Sequence, residues 1–262
     1  MPPSYAHVVT ALRSAGCVFA EDEARLILST ARTPAELAVM VDRRVAGLPL
    51  EHVLGWAEFR GLRIAVEPGV FVPRRRTEFL VEQAVALAPE APVVVDLCCG
   101  SGAVGAALAA ALPGVELHAA DVDPAAVRCA RRNVGAGAHV HEGDLFEALP
   151  RGLRGRIGVL AANVPYVPSG EVGLLPPEAR DHEPLVALDG GGDGLDVLRR
   201  VAVEAPGWLA PGGSLLVETS ERQAGPAVEI LAGAGLMARL EVSEELYANV
   251  VIGVKQLRRG RD

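Results

Sequence analysis

Basic residues are outnumbered in this 262-residue chain, and this shortage is the first feature that narrows its function. Lysine and arginine total 25 against 33 aspartate and glutamate residues, so the formal net charge is −8. Proteins that bind duplex nucleic acid owe most of their affinity to cationic contacts with phosphates. The charge balance therefore argues against a nucleic-acid partner.

Cysteines are few and poorly spaced for metal or redox chemistry. The chain has four, Cys17, Cys98, Cys99 and Cys129, and no two of them form a CxxC pair. The six histidines also show no ligand spacing on one helix face. We therefore expect small buried thiols and no metal site.

Long hydrophobic runs are missing as well. No uninterrupted apolar stretch is long enough to span a bilayer, and the N-terminus lacks the charged and apolar segments of a signal peptide. The expectation is a cytoplasmic protein with no membrane partner.

Half of the residues are hydrophobic, which is enough for a sizeable core. The length suits a catalytic domain with a small accessory domain. Residues 4–48 carry apolar side chains at helical spacing. Thr33 is a predicted N-cap of a helix that runs to about Val45 and ends near Gly47. We predict a small helical N-terminal domain over residues 1–48.

The pattern changes between residues 49 and 76. Short β-like runs at 52–55, 59–64 and 70–73 are separated by glycine and proline. They predict a β-hairpin, at 49–76, that links two domains. The next helix is expected to begin near Thr77, with that residue as its N-cap.

From residue 77 to 262 strand and helix patterns alternate. Strands are predicted at 93–97, 115–120, 139–142, 157–162, 214–218, 236–242 and 249–257, and helices at 103–112, 124–134, 194–209 and 222–234. Such repeated units imply right-handed crossovers within one sheet. We predict an α/β catalytic domain with a doubly wound, mostly parallel, seven-stranded sheet.

Four of these predicted strands end in a polar or glycine-rich signal. Ligands of open α/β sheets bind outside the carboxyl ends of the strands. Asp96 with its following loop, Asp121, Asp144 and Asn163 are therefore expected to converge on one crevice.

The loop Asp96-Leu97-Cys98-Cys99-Gly100-Ser101-Gly102 follows the first of these strands. Its glycines allow a tight turn and close approach of the backbone to a ligand. The spacing differs from the G-x-G-x-x-G pattern of dinucleotide-binding proteins. A purely structural strand-to-helix turn is the alternative interpretation.

Two further aspartates suit a nucleoside. Asp121, in Asp121-Val122-Asp123, can accept hydrogen bonds from both ribose hydroxyls, whereas Asp123 suits the cap of the helix beginning at Pro124. Asp144 can accept a hydrogen bond from an adenine amino group while Leu145 packs on the ring. A helix cap or turn explains Asp144 equally well on this motif alone.

The tetrapeptide Asn163-Val164-Pro165-Tyr166 suits an acceptor nitrogen. An amide nitrogen is a poor nucleophile because its lone pair is delocalised, so a site that fixes its orientation assists transfer. The Asn163 side-chain oxygen and the Val164 carbonyl can accept from an NH₂ group, and Pro165 keeps Val164 extended. Tyr166 can supply a flat wall. An ordinary Asx-Pro turn is the alternative.

Several segments together resemble the release-factor glutamine N5-methyltransferases, a family within the class I S-adenosylmethionine-dependent methyltransferases. The segments that carry the resemblance, besides the tetrapeptide and the loop from Asp96 to Gly102, are 47–55, 59–61, 70–74 with 77–78, 177–184, 187–195, 209–213 and Glu218. The tetrapeptide alone is also typical of methyltransferases that act on DNA adenine or RNA guanine.

The resemblance implies a Rossmann-like fold and methyl transfer to a glutamine side-chain nitrogen in a protein, a peptide-chain release factor. It implies that S-adenosylmethionine binds where the glycine loop, Asp121 with Val122, Asp144 with Leu145, and Asn163 meet. It implies that Asn163 to Tyr166 hold the glutamine amide and that Phe71 and Arg74 line the acceptor side. The N-terminal domain would grip the protein substrate.

The chain departs from the family pattern at two places. Val164 stands where the family usually has proline, and Arg75-Arg76 stand where it usually has Pro-Glu. Two other functions stay open. One is N-methylation of a nucleic-acid base or a small metabolite, with Arg74 to Arg76 and the tail from Lys255 to Arg261 contacting phosphates. The other is a non-catalytic binding module of the same fold.

Overall fold

The structure, a computed structural model, describes residues 4–90 and 92–257. Helices are α1 Tyr5–Ser14, α2 Ala20–Thr30, α3 Pro34–Val45, α4 Leu50–Leu54, α5 Glu78–Leu87, α6 Ala103–Ala111, α7 Pro124–Asn133, α8 Pro177–His182, α9 Asp196–Trp208 and α10 Glu221–Gly233. Strands are β1 Trp56–Phe59, β2 Leu62–Ala65, β3 Val93–Leu97, β4 Glu116–Asp121, β5 His139–Glu142, β6 Ile157–Ala162, β7 Leu209–Thr219, β8 Met237–Ser243 and β9 Ala248–Val254. Short 3₁₀ turns lie at Arg75–Thr77, Leu145–Ala148, Arg151–Leu153, Ser169–Leu174 and Leu185–Ala187.

Seven strands form one mixed sheet in the order β5-β4-β3-β6-β7-β9-β8. The strands from β5 to β7 are parallel, and β9 runs antiparallel to both β7 and β8. The predicted α/β fold with a doubly wound, mostly parallel, seven-stranded sheet is confirmed. The carboxyl ends of the parallel strands consequently lie at one edge of the sheet.

Alternation along the central strands divides the core into two layers. Val95 and Leu97 pack in the cluster beneath α9 and α10, whereas Val94 packs with α5 and α6 on the other face. All six residues of β6 are buried. Burial on both faces explains the continuous apolar runs from which these strands were predicted.

The N-terminal helices form their own hydrophobic cluster, built from α1 to α4. Thr33 caps α3 as predicted, since its side chain accepts a hydrogen bond from the Glu36 backbone N–H. Arg44 contacts Glu23 through two nitrogens and reaches Glu178 at 2.5 Å. This buried arginine ties the helical cluster to α8. The proposed domain boundaries at residues 48 and 76 stay a prediction.

The linking hairpin forms from β1 and β2, but its flanks differ from the prediction. Residues 52–55 belong to α4 and its left-handed Gly55, because Leu50, Val53 and Leu54 recur at helical spacing and pack on the N-terminal cluster. Residues 70–73 pair with no strand among the described residues, and the Val72 N–H donates to the Glu183 carboxylate instead.

Thr77 occupies the predicted N-cap position of α5, but its side chain does not cap the helix. It ends a 3₁₀ turn, makes no cap hydrogen bond and is 2% exposed. Its hydroxyl lies 3.5 Å from the Asn163 side-chain nitrogen.

Among the described residues, no helix combines the length and the hydrophobicity needed to cross a membrane.

Candidate active site

The strand tips meet at one cavity of about 590 Å³. Leu97 of β3 pairs directly with Ala162 of β6, so the glycine loop and the Asn163 turn leave neighbouring strands at the same edge. The cavity is lined by every predicted site residue except Gly102, namely Phe71, Arg74, Asp96, Cys98, Gly100, Ser101, Asp121, Val122, Asp144, Leu145, Asn163, Val164, Pro165 and Tyr166. The structure therefore brings together residues that are far apart in sequence.

The glycine loop is held in left-handed conformations. Cys98, Gly100 and Gly102 have φ values of 57°, 53° and 78°. A side chain at Gly102 would approach the Ala130 backbone and Val134 to 3.0 Å, so this glycine allows α6 and α7 to pack closely. Gly102 consequently supports the loop from the side that packs on α7, and it does not line the cavity. Positive φ at a non-glycine residue such as Cys98 is uncommon and clusters at binding sites.

Asp121 holds the glycine loop through one carboxylate oxygen and its own turn through the other. One oxygen accepts the Gly100 N–H and the other the Asp123 N–H, each at 2.9 Å. Burial raises the pKa of Asp121. Asp123 caps α7 as predicted, by accepting the Ala125 N–H. The Asp121 carboxylate thus lies at the cavity wall with a fixed orientation.

Asp96 is the most buried carboxyl of the site. It is 1% exposed, and its Oδ2 accepts the Gly105 N–H at 2.8 Å. Burial raises its pKa to about 8, because the charged form loses hydration that this one hydrogen bond only partly replaces.

A dependence of stability on pH follows from Asp96. Between the unfolded-state pKa of about 4 and the folded-state value, the native state binds a proton that the unfolded state releases. Its contribution to the free energy of unfolding therefore falls as pH rises through this window, by about 1.4 kcal/mol per pH unit. Asp96→Asn keeps an oxygen that can accept the Gly105 N–H, but the amide does not titrate.

Urea unfolding of both proteins at several pH values tests this expectation. The stability of Asp96→Asn relative to the wild type should rise from pH 5 to pH 8 and level off above it. A difference that stays constant across this range would show that Asp96 keeps an ordinary pKa.

Asp144 and Leu145 lie at the tip of β5. The Asp144 carboxylate pairs with Arg200 of α9 at 2.6 Å. Leu145 has φ of 49° and is 7% exposed, so its side chain is held at the cavity wall by a strained backbone. The ion pair with Arg200 is a contact that the sequence did not indicate.

The turn from Asn163 to Tyr166 lines the cavity and contains two oxygens without hydrogen bonds from described residues. The Asn163 side-chain nitrogen is directed at Thr77, which leaves its oxygen free of hydrogen bonds from described residues. The Val164 side chain is 2% exposed and belongs to the core, so it anchors the turn from below. No described residue donates to the Val164 carbonyl.

A glycine-rich segment, residues 188–194, supports this turn. Val167, directly after the turn, forms two backbone hydrogen bonds with this segment. Its N–H donates to the Leu188 carbonyl, and its carbonyl accepts the Gly190 N–H. A side chain at Gly190 would lie 2.6 Å from the Pro165 carbonyl oxygen and 2.8 Å from the Tyr166 Cα. Only glycine fits at this approach.

Gln223 of α10 also supports the turn, although no local signal indicated it. Its side-chain nitrogen donates to the Tyr166 carbonyl at 2.8 Å and to the Asp193 carbonyl at 3.0 Å. It is buried and joins the turn from Asn163 to Tyr166 to the glycine-rich segment.

Phe71 and Arg74 also line the cavity. The Arg74 guanidinium lies 4.9 Å from the Phe71 ring centroid and donates to Glu183 at 2.6 Å. Glu183 is buried and also accepts the Val72 N–H at 3.0 Å. Burial raises the pKa of Glu183. This carboxylate fixes the course of the chain that carries both wall residues.

The arginine cluster is largely paired with acids. Arg74 pairs with Glu183 and Arg76 with Glu218, so neither is a free phosphate contact. Lys255 donates to the Leu209 carbonyl. The rest of the predicted basic tail, from residue 258 onward, lies outside the described residues. The described part of the cluster therefore does not favour nucleic-acid binding.

The strand order and the cavity at the carboxyl edge define a class I methyltransferase fold. A methyltransferase crystal structure from Pyrococcus furiosus superposes with a TM-score of 0.57 over 84% of this chain and 98% of that one, at 16% identity. The family described as Methyltransferase small domain matches residues 61–165.

Two relatives with different substrates are similar to most of this chain. Release factor glutamine methyltransferase of Geobacter sulfurreducens is 43% identical over 197 residues, which are 73% of this chain and 68% of the relative. The 4-amino-L-phenylalanine/4-methylamino-L-phenylalanine methyltransferase of Streptomyces pristinaespiralis is 38% identical over 70% of this chain and 65% of that protein. This chain belongs to the release factor glutamine methyltransferase family.

Proposed function

We propose that this chain transfers a methyl group from S-adenosylmethionine to the side-chain amide nitrogen of a glutamine in a peptide-chain release factor. The observation that carries the proposal is the pairing of β3 with β6, which places the glycine loop and the Asn163 turn on one cavity. A donor held by the loop and an acceptor held by the turn would therefore be adjacent.

The cavity residues fit S-adenosylmethionine. Side-chain oxygens of Asp96, Asp121 and Asp144 are acceptors for its amino and hydroxyl groups, and Val122 and Leu145 offer apolar surface to its adenine. A volume of about 590 Å³ lies within the range of cofactor pockets. When bound, this cofactor supplies an electrophilic methyl group.

The acceptor side works by positioning. The Asn163 side-chain oxygen and the Val164 carbonyl accept from the two N–H bonds of the glutamine amide, and Tyr166 closes one side. A fixed orientation replaces the search for an attack geometry, and the amide proton leaves after transfer, so no strong general base is needed.

The N-terminal helices are proposed to recognise the protein substrate. Pro49 and Glu51, at the start of α4, line the cavity together with Glu178 of α8. Arg44 joins the helical cluster to α8 through Glu178. The cavity lining thus includes residues from the start of α4 and from α8.

A small aromatic amine is a second candidate acceptor. The Streptomyces pristinaespiralis relative is named for such a substrate and is similar over most of this chain. Val164 also departs from the proline usual in the family.

One experiment separates the candidates. The purified chain is incubated with isotopically labelled S-adenosylmethionine and, separately, with peptide-chain release factors of the same organism, 4-amino-L-phenylalanine and total RNA. We expect one added methyl, located by mass spectrometry on a glutamine side chain of a release factor. Methylation of the amine or the RNA, with an unmodified release factor, would reject the proposal.

A further inference from the structure

Three polar side chains meet behind the acceptor turn. The Arg76 Nε donates to Glu218 Oε1 at 3.0 Å, and the Arg76 Nη2 donates to the Tyr166 hydroxyl at 2.5 Å. The same hydroxyl donates to Glu218 Oε1 at 3.1 Å. They come from the 3₁₀ turn before α5, the turn after β6 and strand β7.

Glu218 is the buried member of this cluster. It is 2% exposed, and its Oε2 has no hydrogen-bond partner among the described residues. A buried carboxylate is costly unless a cation compensates it. Within the described part of the chain, Arg76 is the residue that forms a salt bridge with it.

The Tyr166 hydroxyl is bound from two sides. Burial raises the pKa of Tyr166, so the phenol is neutral and can donate to Glu218 while accepting from Arg76. The Arg76 guanidinium also lies 5.9 Å from the ring centroid. A donor and an acceptor on one hydroxyl restrict how the ring can turn.

Both Arg76 and Tyr166 line the cavity, and the Arg76 side chain is 45% exposed. Tyr166 forms the wall beside the oxygens of Asn163 and Val164. We propose that Arg76 is a positioning residue, which holds the Tyr166 ring in place for methyl transfer through the shared hydrogen bonds with Glu218. This inference rests on the proposed function, because it assigns Tyr166 to the acceptor side.

Arg76 could either position Tyr166 or only neutralise Glu218, and a double variant distinguishes these two roles. Arg76→Ala should lower both the melting temperature and kcat, the latter roughly 10- to 100-fold. Arg76→Ala with Glu218→Gln removes the unpaired charge and should recover the melting temperature. If Arg76 positions Tyr166, kcat of this double variant stays at least about tenfold low.

Two further variants refine the test. Arg76→Lys keeps the charge but loses the planar fork that contacts Glu218 and Tyr166 together, so it should fold normally and recover little kcat. Arg75→Ala is the matched control, since Arg75 is exposed and forms no salt bridge with a described residue. Its kcat should equal that of the wild type.

The measurements are kcat and KM for the release factor, the Kd of S-adenosylmethionine by calorimetry, and melting temperatures. Recovery of kcat together with the melting temperature in the double variant would overturn the positioning role. Failure of the proposed function is recognised separately, because the wild type would then leave the release factor unmodified. In that case a crystal structure of the double variant decides: a displaced Tyr166 ring supports the inference, and an unmoved ring overturns it.

Discussion

Asn163→Ala is expected to reduce turnover roughly 10³-fold with little loss of donor binding. The substitution removes a side-chain oxygen that is free of hydrogen bonds from described residues, so the acceptor amide would lose one of its two proposed contacts. Loss of a single preorganised polar contact in other enzymes costs about 10² to 10³ in kcat. The Kd of S-adenosylmethionine should change by less than about threefold, since the glycine loop, Asp121 and Asp144 would still hold the donor.

Thr77→Val serves as a graded comparison for this variant. It keeps the shape of a residue that is 2% exposed but removes the hydroxyl 3.5 Å from the Asn163 nitrogen. An ordinary neutral hydrogen bond is worth about 1 kcal/mol and this contact is longer than one, so turnover should fall by less than about fivefold. Wild-type turnover in Asn163→Ala, measured by methyl incorporation into the release factor, would remove the tetrapeptide from the mechanism.

Gly190→Ala is expected to lower activity at least about 10²-fold although it replaces no predicted site residue. The added methyl would lie 2.5 Å from the Gly194 carbonyl oxygen and 2.6 Å from that of Pro165. Both are backbone atoms, so the acceptor turn itself must move. Overpacking of this kind also costs about 1–3 kcal/mol of stability.

Gly192→Ala, two residues away, is the matched control. A side chain there would meet no atom within 4 Å, and the residue is exposed. Its kcat/KM and urea midpoint should stay at wild-type values. Equal behaviour of the two variants would mean that the 188–194 segment does not support the turn.

The sheet was predictable because its signals are local. Val93–Leu97 and Ile157–Ala162 are apolar runs with a polar residue or a glycine loop at their ends, and both became central strands. The convergence of their tips followed from a general rule for parallel sheets. The capping role of Asp123 was equally local.

Predictions failed where a short segment had no decisive local signal. Residues 52–55 are too few for periodicity to separate helix from strand, and packing on the N-terminal cluster decided for helix. Residues 70–73 have strand-like composition but no neighbouring strand to pair with among the described residues. Their backbone is held by Glu183 instead.

The contacts that orient the site had no sequence signal at all. Arg76 and Glu218 are 142 positions apart, and Gln223 reaches the Tyr166 carbonyl from a helix 57 positions later. Polar residues of this kind occur throughout any soluble chain, so nothing marks them before the fold brings them together.

The sequence alone determined the succession of strands and helices along the chain, the glycine loop and the residue types offered to donor and acceptor. Periodicity, turn chemistry and capping act over only a few residues. Tertiary structure alone decided which way Asn163 and Tyr166 face. Their orientation depends on Thr77, Arg76, Glu218 and Gln223, and close packing of distant segments, rather than local preference, sets those contacts.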